Sequence, residues 1–358
     1  MKVLFVYYLP SGGVETLNRQ RCKALKEAGI FCELLYMQQG TGYNNICDIP
    51  VYVTNDNQEI KLLLEKQNYS AVMVCSDHLF LKRIRELGYS GPLLYEIQGL
   101  GTEKEARNWM VSAQPFIQTY ANAVFYPRTS HLEQLCQTFI PNVKSYSFHN
   151  CFDTDHFHYV TSTFHAKNPI IGWVGRLEPN KNWYGFLQLV NMILSKNSNI
   201  NVWMFQDATL ASESEKTKFQ QFIQQHHLEE IVTVHSNIPH QEMAIYYSII
   251  ADSGGFLCAT SQVEGFGYAV VEAMSCQCPV VSTDSDGIRS FLTHNETGKI
   301  INIDDLDKAT SECLEVFNNA EMKNQLVKQA NEKIKSTLDP KKYNENFTKM
   351  LKQISQKS

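Results

Sequence analysis

The sequence has no run of about 18 or more apolar residues, the length a membrane-spanning helix needs. Neither sign of charge dominates: 32 Lys and Arg stand against 37 Asp and Glu, for a formal net charge of −5. That balance excludes a nucleic-acid binder that relies on a broad basic field, so nucleic acid is not an expected partner. The ten cysteines include no CxxC pair, and the 11 histidines do not pair with them at zinc spacing. His226 and His227 are adjacent and cannot both face one metal from a helix. The apolar start, residues 1–10, is at the short limit of a signal peptide, and Ser-Gly-Gly-Val-Glu follows it instead of a small-residue cleavage site. It reads as a buried strand, the scattered cysteines as reduced thiols and the chain as cytoplasmic.

What is present suits two substantial cores. The 358 residues imply two or three domains at about 150 residues each. Hydrophobic residues make up 43%, with 17 Tyr and 19 Phe, which excludes a wholly disordered chain. Short apolar runs alternate with amphipathic stretches. Residues 3–8 read as a strand, Gly12 and Gly13 as a turn, 16–28 as a helix stopped by Gly29, and 31–37 as the next strand. Further strands are expected at 71–75, 93–97 and 123–126, and helices at 60–66 and 79–87. The rhythm breaks over the polar and aromatic stretch 156–169, which reads as a linker. It restarts with strands at 170–174, 201–205, 231–235, 255–259 and 279–282, separated by helices that include 183–195 and 268–275. Helices at 306–317, 321–335 and 341–354 close the chain. Continuous apolar strands alternating with helices imply parallel sheets covered on both faces, hence two Rossmann-like domains with a ligand cleft at the carboxyl ends of their strands.

Three constellations could carry chemistry. The Ser11-Gly12-Gly13 turn opens a helix, and its glycines would let backbone N–H groups approach an anion; a plain tight turn explains it equally well. Arg176 and Lys181 follow a buried strand, where an Arg fork and a Lys point charge would suit a diphosphate; a solvated basic loop is the other reading. The third runs Glu264-Gly-Phe-Gly-Tyr-Ala-Val-Val-Glu272. A carboxylate at Glu272, among Ala269, Val270, Val271, Ala273 and Met274, needs a partner or a ligand, and carboxylates accept hydrogen bonds from the vicinal hydroxyls of sugars.

At these residues the sequence resembles glycosyltransferase family 4, with the GT-B fold, over nearly its whole length. Gly12-Gly13-Val14-Glu15 resembles the N-terminal glycine loop. Residues 149–157 resemble the domain-junction segment, with Cys151 where glycine is usual. Gly175-Arg176-Leu177 with Lys181-Asn182 resembles the basic loop, and Glu264 to Glu272 the Glu-x7-Glu motif. The resemblance implies an α/β GT-B protein with two Rossmann-like domains whose parallel sheets face a central cleft. Residues 1–157 would take the acceptor, with 340–358 packing back on them, and residues 168–338 the nucleotide-sugar donor. It implies a retaining, metal-independent hexosyltransferase without a cofactor, moving a sugar from a nucleotide-diphosphate sugar, UDP first among them, to an acceptor hydroxyl in cell-surface polysaccharide, glycolipid or glycoconjugate synthesis. Arg176, Lys181 and Glu264 would be the catalytic residues. Gly12, Gly13, Phe266 and Gly267 would offer backbone contacts to the donor, Asn237 and Ile238 would meet the base, Glu264 the donor sugar and Glu272 the ribose.

The sequence departs from the family at three places. Gln98 stands where a histidine is common in the family; its amide can bond a sugar hydroxyl but is no general base, and the departing phosphate could take the acceptor proton instead. Glu96 is expected to point to the opposite side of that strand. His78 is the other candidate acceptor or sugar contact. Gln277 and Asp286 replace common glycines, and Asp286 reads either as facing the donor sugar or as tolerating a left-handed turn.

Two alternatives stay open: a nucleotide-sugar epimerase of the same fold, and a degenerate binding or assembly protein. Lys82, Arg83 and Arg85 beside Phe80, Leu81 and Ile84 allow a peripheral membrane contact on the inner face, but an ordinary amphipathic helix on a sheet is favoured. The acceptor is a glycan, a lipid-linked molecule or a small molecule, approached through loops 40–45 and 99–109, where Tyr43 and Trp109 could stack on a sugar or merely pack. The oligomeric state is not legible.

Overall fold

In the computed structural model, residues 1–207 and 210–355 are described. The chain divides into two units: Met1–Asp153 with Leu338–Ser358, and Thr154–Thr337. Residues 154–157, expected with the first unit, fall in the second. There Ser275 Oγ donates to the Phe157 carbonyl at 2.5 Å and Ser248 Oγ accepts from the Val160 amide.

The first unit runs β1 (Lys2–Tyr7), α1 (Gly12–Glu27), β2 (Phe31–Tyr36), β3 (Val51–Val53), α2 (Asn57–Lys66), β4 (Ala71–Cys75), α3 (His78–Glu86), β5 (Leu93–Glu96), α4 (Glu103–Tyr120), β6 (Ala123–Tyr126), α5 (Ser130–Phe139) and β7 (Ser145–Ser147). Its seven strands are all parallel, in the order β3-β2-β1-β4-β5-β6-β7. The order reverses between β1 and β4. In open parallel sheets, loops leaving such a pair at the carboxyl ends diverge to opposite faces and leave a crevice for ligands. Val3–Val6 of β1 and every residue of β4 are buried, as expected of strands covered on both faces. Each Val, Leu or Met so buried contributes about 1.5–3 kcal/mol of transfer free energy.

Two local readings are corrected and a third holds. Helix α1 begins at Gly12, one turn earlier than expected, and buries Arg21 completely, guanidinium included. Residues 103–109, read as loop, open α4. Thr102 accepts from the Glu105 amide and Glu105 bonds back to the Thr102 amide, a reciprocal cap that satisfies two otherwise unpaired donors. In α3, Phe80, Leu81 and Ile84 are committed to the core. Arg83 is bonded to Asn55 and Asn57, and Arg85 to the carbonyls of Tyr89, Gly91 and Tyr120. It is the ordinary amphipathic helix.

The second unit runs β8 (Ile170–Val174), α6 (Trp183–Lys196), β9 (Asn201–Gln206), α7 (Glu213–Gln225), β10 (Val232–Ser236), α8 (Met243–Asp252), β11 (Phe256–Ala259), α9 (Tyr268–Ser275), β12 (Val280–Thr283), β13 (Lys299–Ile301), α10 (Leu306–Asn318) and α11 (Ala320–Thr337). Its six strands are parallel in the order β10-β9-β8-β11-β12-β13, with the reversal between β8 and β11.

The last helix, α12 (Pro340–Ser355), belongs to the first unit. Its apolar face, including Tyr343, Phe347 and Met350, is buried; the Phe347 ring lies 6.0 Å from Phe5, and Asn344 donates to the Ala24 carbonyl at 2.8 Å. Residues 356–358 of the expected helix lie outside the described residues. No helix among the described residues is long and apolar enough to cross a membrane, and all ten cysteines are free.

Candidate active site

In the second unit, the loops leaving β8 and β11 are the two at the point of reversal, and they are laced together. Asn180 pairs its side-chain amide with the backbone of Val263 in both directions at 3.2 Å, and its carbonyl accepts from the Gln262 amide at 2.8 Å. Thr260 Oγ1 accepts from Trp173 Nε1 at 3.2 Å and points its proton at the carbonyls of Lys181 and Asn182. Asn182 takes the left-handed conformation, φ 50°, and caps α6 by accepting from the Gly185 amide. This lacing carries Lys181 to Glu264. The two form an ion pair through Oε1, which also accepts from Ser261 Oγ at 2.6 Å. Arg176, on the same loop, is 42% exposed and pairs with Glu178 at 3.1 Å.

Glycines shape the next turn. A Cβ on Gly287 would sit 2.3 Å from the Glu264 carbonyl, the same oxygen that accepts from the Gly287 amide at 3.1 Å. Gly267, at φ 78°, precedes α9 as its cap residue, and the positive end of that helix opens beside the Glu264–Gly267 turn. Phe266 is buried against Tyr268 and Phe291, which leaves its backbone as the part that can meet a ligand. Asp286 is not left-handed; it lies 3.8 Å from Arg289, itself held by Asp284 in a two-pronged pair at 2.9 Å. Gln277 is the residue in the left-handed region, at φ 60°.

Glu272 lies inward on α9, 3% exposed, and has two partners that the sequence did not disclose. His240 Nε2 is 2.8 Å from Oε1, and Tyr247 donates to Oε2 at 3.0 Å. Burial and the Glu272 carboxylate hold the Tyr247 phenol well above its usual pKa, so it stays protonated and donates. Asn237, left-handed at φ 55°, and Ile238 form the turn between β10 and His240. Among the described residues, no three of His, Cys, Asp and Glu converge as metal ligands would.

In the first unit, Gly12 opens α1 at φ 70° with open space where a Cβ would stand. A 3₁₀ turn, Thr41–Asn45, is held beside it by the Gly42 amide bonding the Pro10 carbonyl at 3.0 Å. His78, the first residue of α3 after β4, packs edge-on against Trp109 and near Phe116, and burial lowers its pKa. Trp109 in turn stacks on Tyr95 and is a packing residue. Gln98 is buried: its amide nitrogen donates to Glu96 at 2.6 Å, and its oxygen accepts from Asn150 at 2.7 Å. Glu96 therefore faces the same side as Gln98, not the opposite one, as two residues of separation along an extended chain require.

Residues 160–333 match the family model of glycosyl transferases group 1. Sucrose synthase from Solanum tuberosum is 25% identical over 189 residues, covering 50% of this chain and 23% of that protein. The chain thus spans about a quarter of that curated relative, and about a third of another. Among solved structures, sucrose-phosphate synthase from Thermosynechococcus elongatus superimposes with a TM-score of 0.82 at 16% identity, covering 100% of both chains. Anabaena HepE in complex with UDP-glucose gives 0.81 at 17% identity, over 99% of this chain and 100% of that one. These likenesses show the fold: two parallel-sheet α/β units of the GT-B type.

Proposed function

We propose that the chain is a retaining glycosyltransferase that moves a sugar from a UDP-linked donor to an acceptor hydroxyl. The observation that carries this reading is the assembly at the β8–β11 reversal. Arg176 and Lys181 share one loop there, Lys181 pairs with Glu264, and Glu272 lies buried on the helix that follows, all in the segment that matches glycosyl transferases group 1. UDP is favoured because HepE is described in complex with UDP and with UDP-glucose.

In this reading Arg176, Lys181 and the amides opening α9 carry the charge that grows on the departing diphosphate, without a metal or a cofactor. Glu264, steadied by Lys181 and Ser261, binds hydroxyls of the donor sugar. Glu272 takes the ribose, Asn237 and Ile238 meet the base, and Gly13, Phe266 and Gly267 offer backbone. The bond from the anomeric carbon to the phosphate oxygen breaks, and the acceptor oxygen bonds on the same face. The acceptor proton passes to the departing phosphate, since Gln98 cannot serve as a base. The first unit, Met1–Asp153 with Leu338–Ser358, takes the acceptor, and the second, Thr154–Thr337, holds the donor.

A thermal-shift panel of UDP, GDP, ADP and CMP and their sugar conjugates, with and without metal, tests the reading. A ligand that binds only the folded chain raises the melting temperature. The expected result is a shift selective for uridine nucleotides, independent of metal and lost in Glu272→Ala, followed by turnover of the matching sugar conjugate. No shift from any nucleotide overturns the reading; a shift without turnover of any conjugate assigns the chain to a binding role.

A further inference from the structure

We infer that His240 is the positioning residue of the donor site, fixing the Glu272 carboxylate for recognition of the ribose hydroxyls. This rests on the nucleotide reading above and names the residue that would make the site select ribose. A carboxylate only accepts hydrogen bonds, so in the 2.8 Å contact with Oε1 the His240 Nε2 carries the proton. Tyr247 donates to the other oxygen. With one donor on each oxygen the carboxylate plane cannot turn, and the lone pairs left over point in fixed directions. The two clamps differ in access. Tyr247 is wholly buried, whereas the His240 side chain is 17% exposed against 4% for Glu272. A ligand reaching Glu272 therefore passes the imidazole rather than the phenol.

The imidazole is itself braced. The Phe157 ring meets it edge-on at 5.0 Å, and Phe157 is held by its carbonyl, which accepts from Ser275 Oγ at 2.5 Å. Ser275 lies three residues after Glu272 on α9, so one helix carries both the carboxylate and the anchor of the ring that backs its partner. His240 follows Pro239 in the 3₁₀ turn that leads into α8. That turn continues from Asn237 and Ile238, so one short segment would meet the base and set the geometry for the sugar beside it.

The test measures the affinities of UDP and 2′,3′-dideoxy-UDP by calorimetry for the wild-type chain, His240→Ala and His240→Gln. The wild type is expected to prefer UDP. His240→Ala is expected to weaken UDP by about tenfold, the worth of one well-placed hydrogen bond to a charged group. Its affinity for the dideoxy nucleotide should stay unchanged, which also reports that the variant is folded. His240→Gln, whose amide can donate to Oε1, is expected to keep most of the preference. A His240→Ala chain that retains the wild-type ratio, or loses both ligands equally, overturns the inference and leaves the donor reading standing. A wild type that binds both ligands equally removes the ribose role of Glu272 and the inference with it. A wild type that binds neither overturns both.

Discussion

Arg21 and Glu96 form an ion pair at 2.6 Å with both side chains wholly out of water. The guanidinium lies 3.7 Å over the Phe5 ring and also bonds Asn18, while Glu96 takes a second bond from Gln98. The pair thus ties α1 to the end of β5. Such a pair contributes little against an apolar replacement, but removing one partner strands the other charge in the core. Glu96→Ala is expected to cost about 3–5 kcal/mol in urea denaturation, and Arg21→Met added to it should recover part of that loss. A loss below about 1 kcal/mol for the single change would mean that Arg21 finds water or another anion.

The central strands were legible because a strand covered on both faces has to be an unbroken apolar run, as at Val72, Met73 and Val74; β3, β7 and β13, three residues each, are too short to show such a run and were not read. The Glu-x7-Glu segment was legible because a carboxylate set among valines demands an explanation. Helix α4 was not read, although Thr102 and Glu105 stand at the spacing of a reciprocal cap; the polar opening of that helix masked its period. His240 and Tyr247 were beyond reach. They lie 32 and 25 positions from Glu272, and only the parallel sheet, by bringing α8 against α9, makes them its partners.

Gln277 ends α9 in a left-handed conformation, φ 60°, which costs a residue with a Cβ about 1–2 kcal/mol. Its side chain is exposed, so shortening it removes no core packing. Gln277→Gly is expected to stabilise the second unit by up to about 1 kcal/mol, part of the relief being returned as unfolded-chain entropy. The change should appear as a higher melting temperature with no effect on nucleotide affinity; a lower melting temperature would mean that the glutamine side chain contributes more than its backbone costs.

His235 stacks on Phe205 at 4.9 Å and lies against Trp203 and Tyr246. Burial among these rings lowers its pKa from the ordinary 6.5. The unfolded chain then takes up a proton that the folded chain resists, so stability is full above pH 6.5 and declines as the pH falls below it. The decline from this group ends once the pH passes the lowered folded value. His78 contributes in the same direction. His235→Phe should shrink the difference in unfolding free energy between pH 7.5 and pH 5.5, leaving the share that His78 supplies. An unchanged difference would assign the acid sensitivity to other groups.

Lys181 and Glu264 test charge against geometry. Their side chains are 23% and 18% exposed, so solvent screening keeps the pair's worth to stability at about 1 kcal/mol or less. If Lys181 carries charge off the departing diphosphate, Lys181→Met should lower turnover by about 10²–10³ while moving the melting curve little. Loss of the pair alone could still disorder Glu264 and lower turnover indirectly. The exchange Lys181→Glu with Glu264→Lys separates the two causes. It restores an ion pair between the same loops but sets a carboxylate where the diphosphate needs a cation. Recovery of stability without recovery of turnover is the expected result. Recovery of turnover in the exchanged chain would show that the pair acts only as a brace, and would move the charge work to Arg176 and the start of α9.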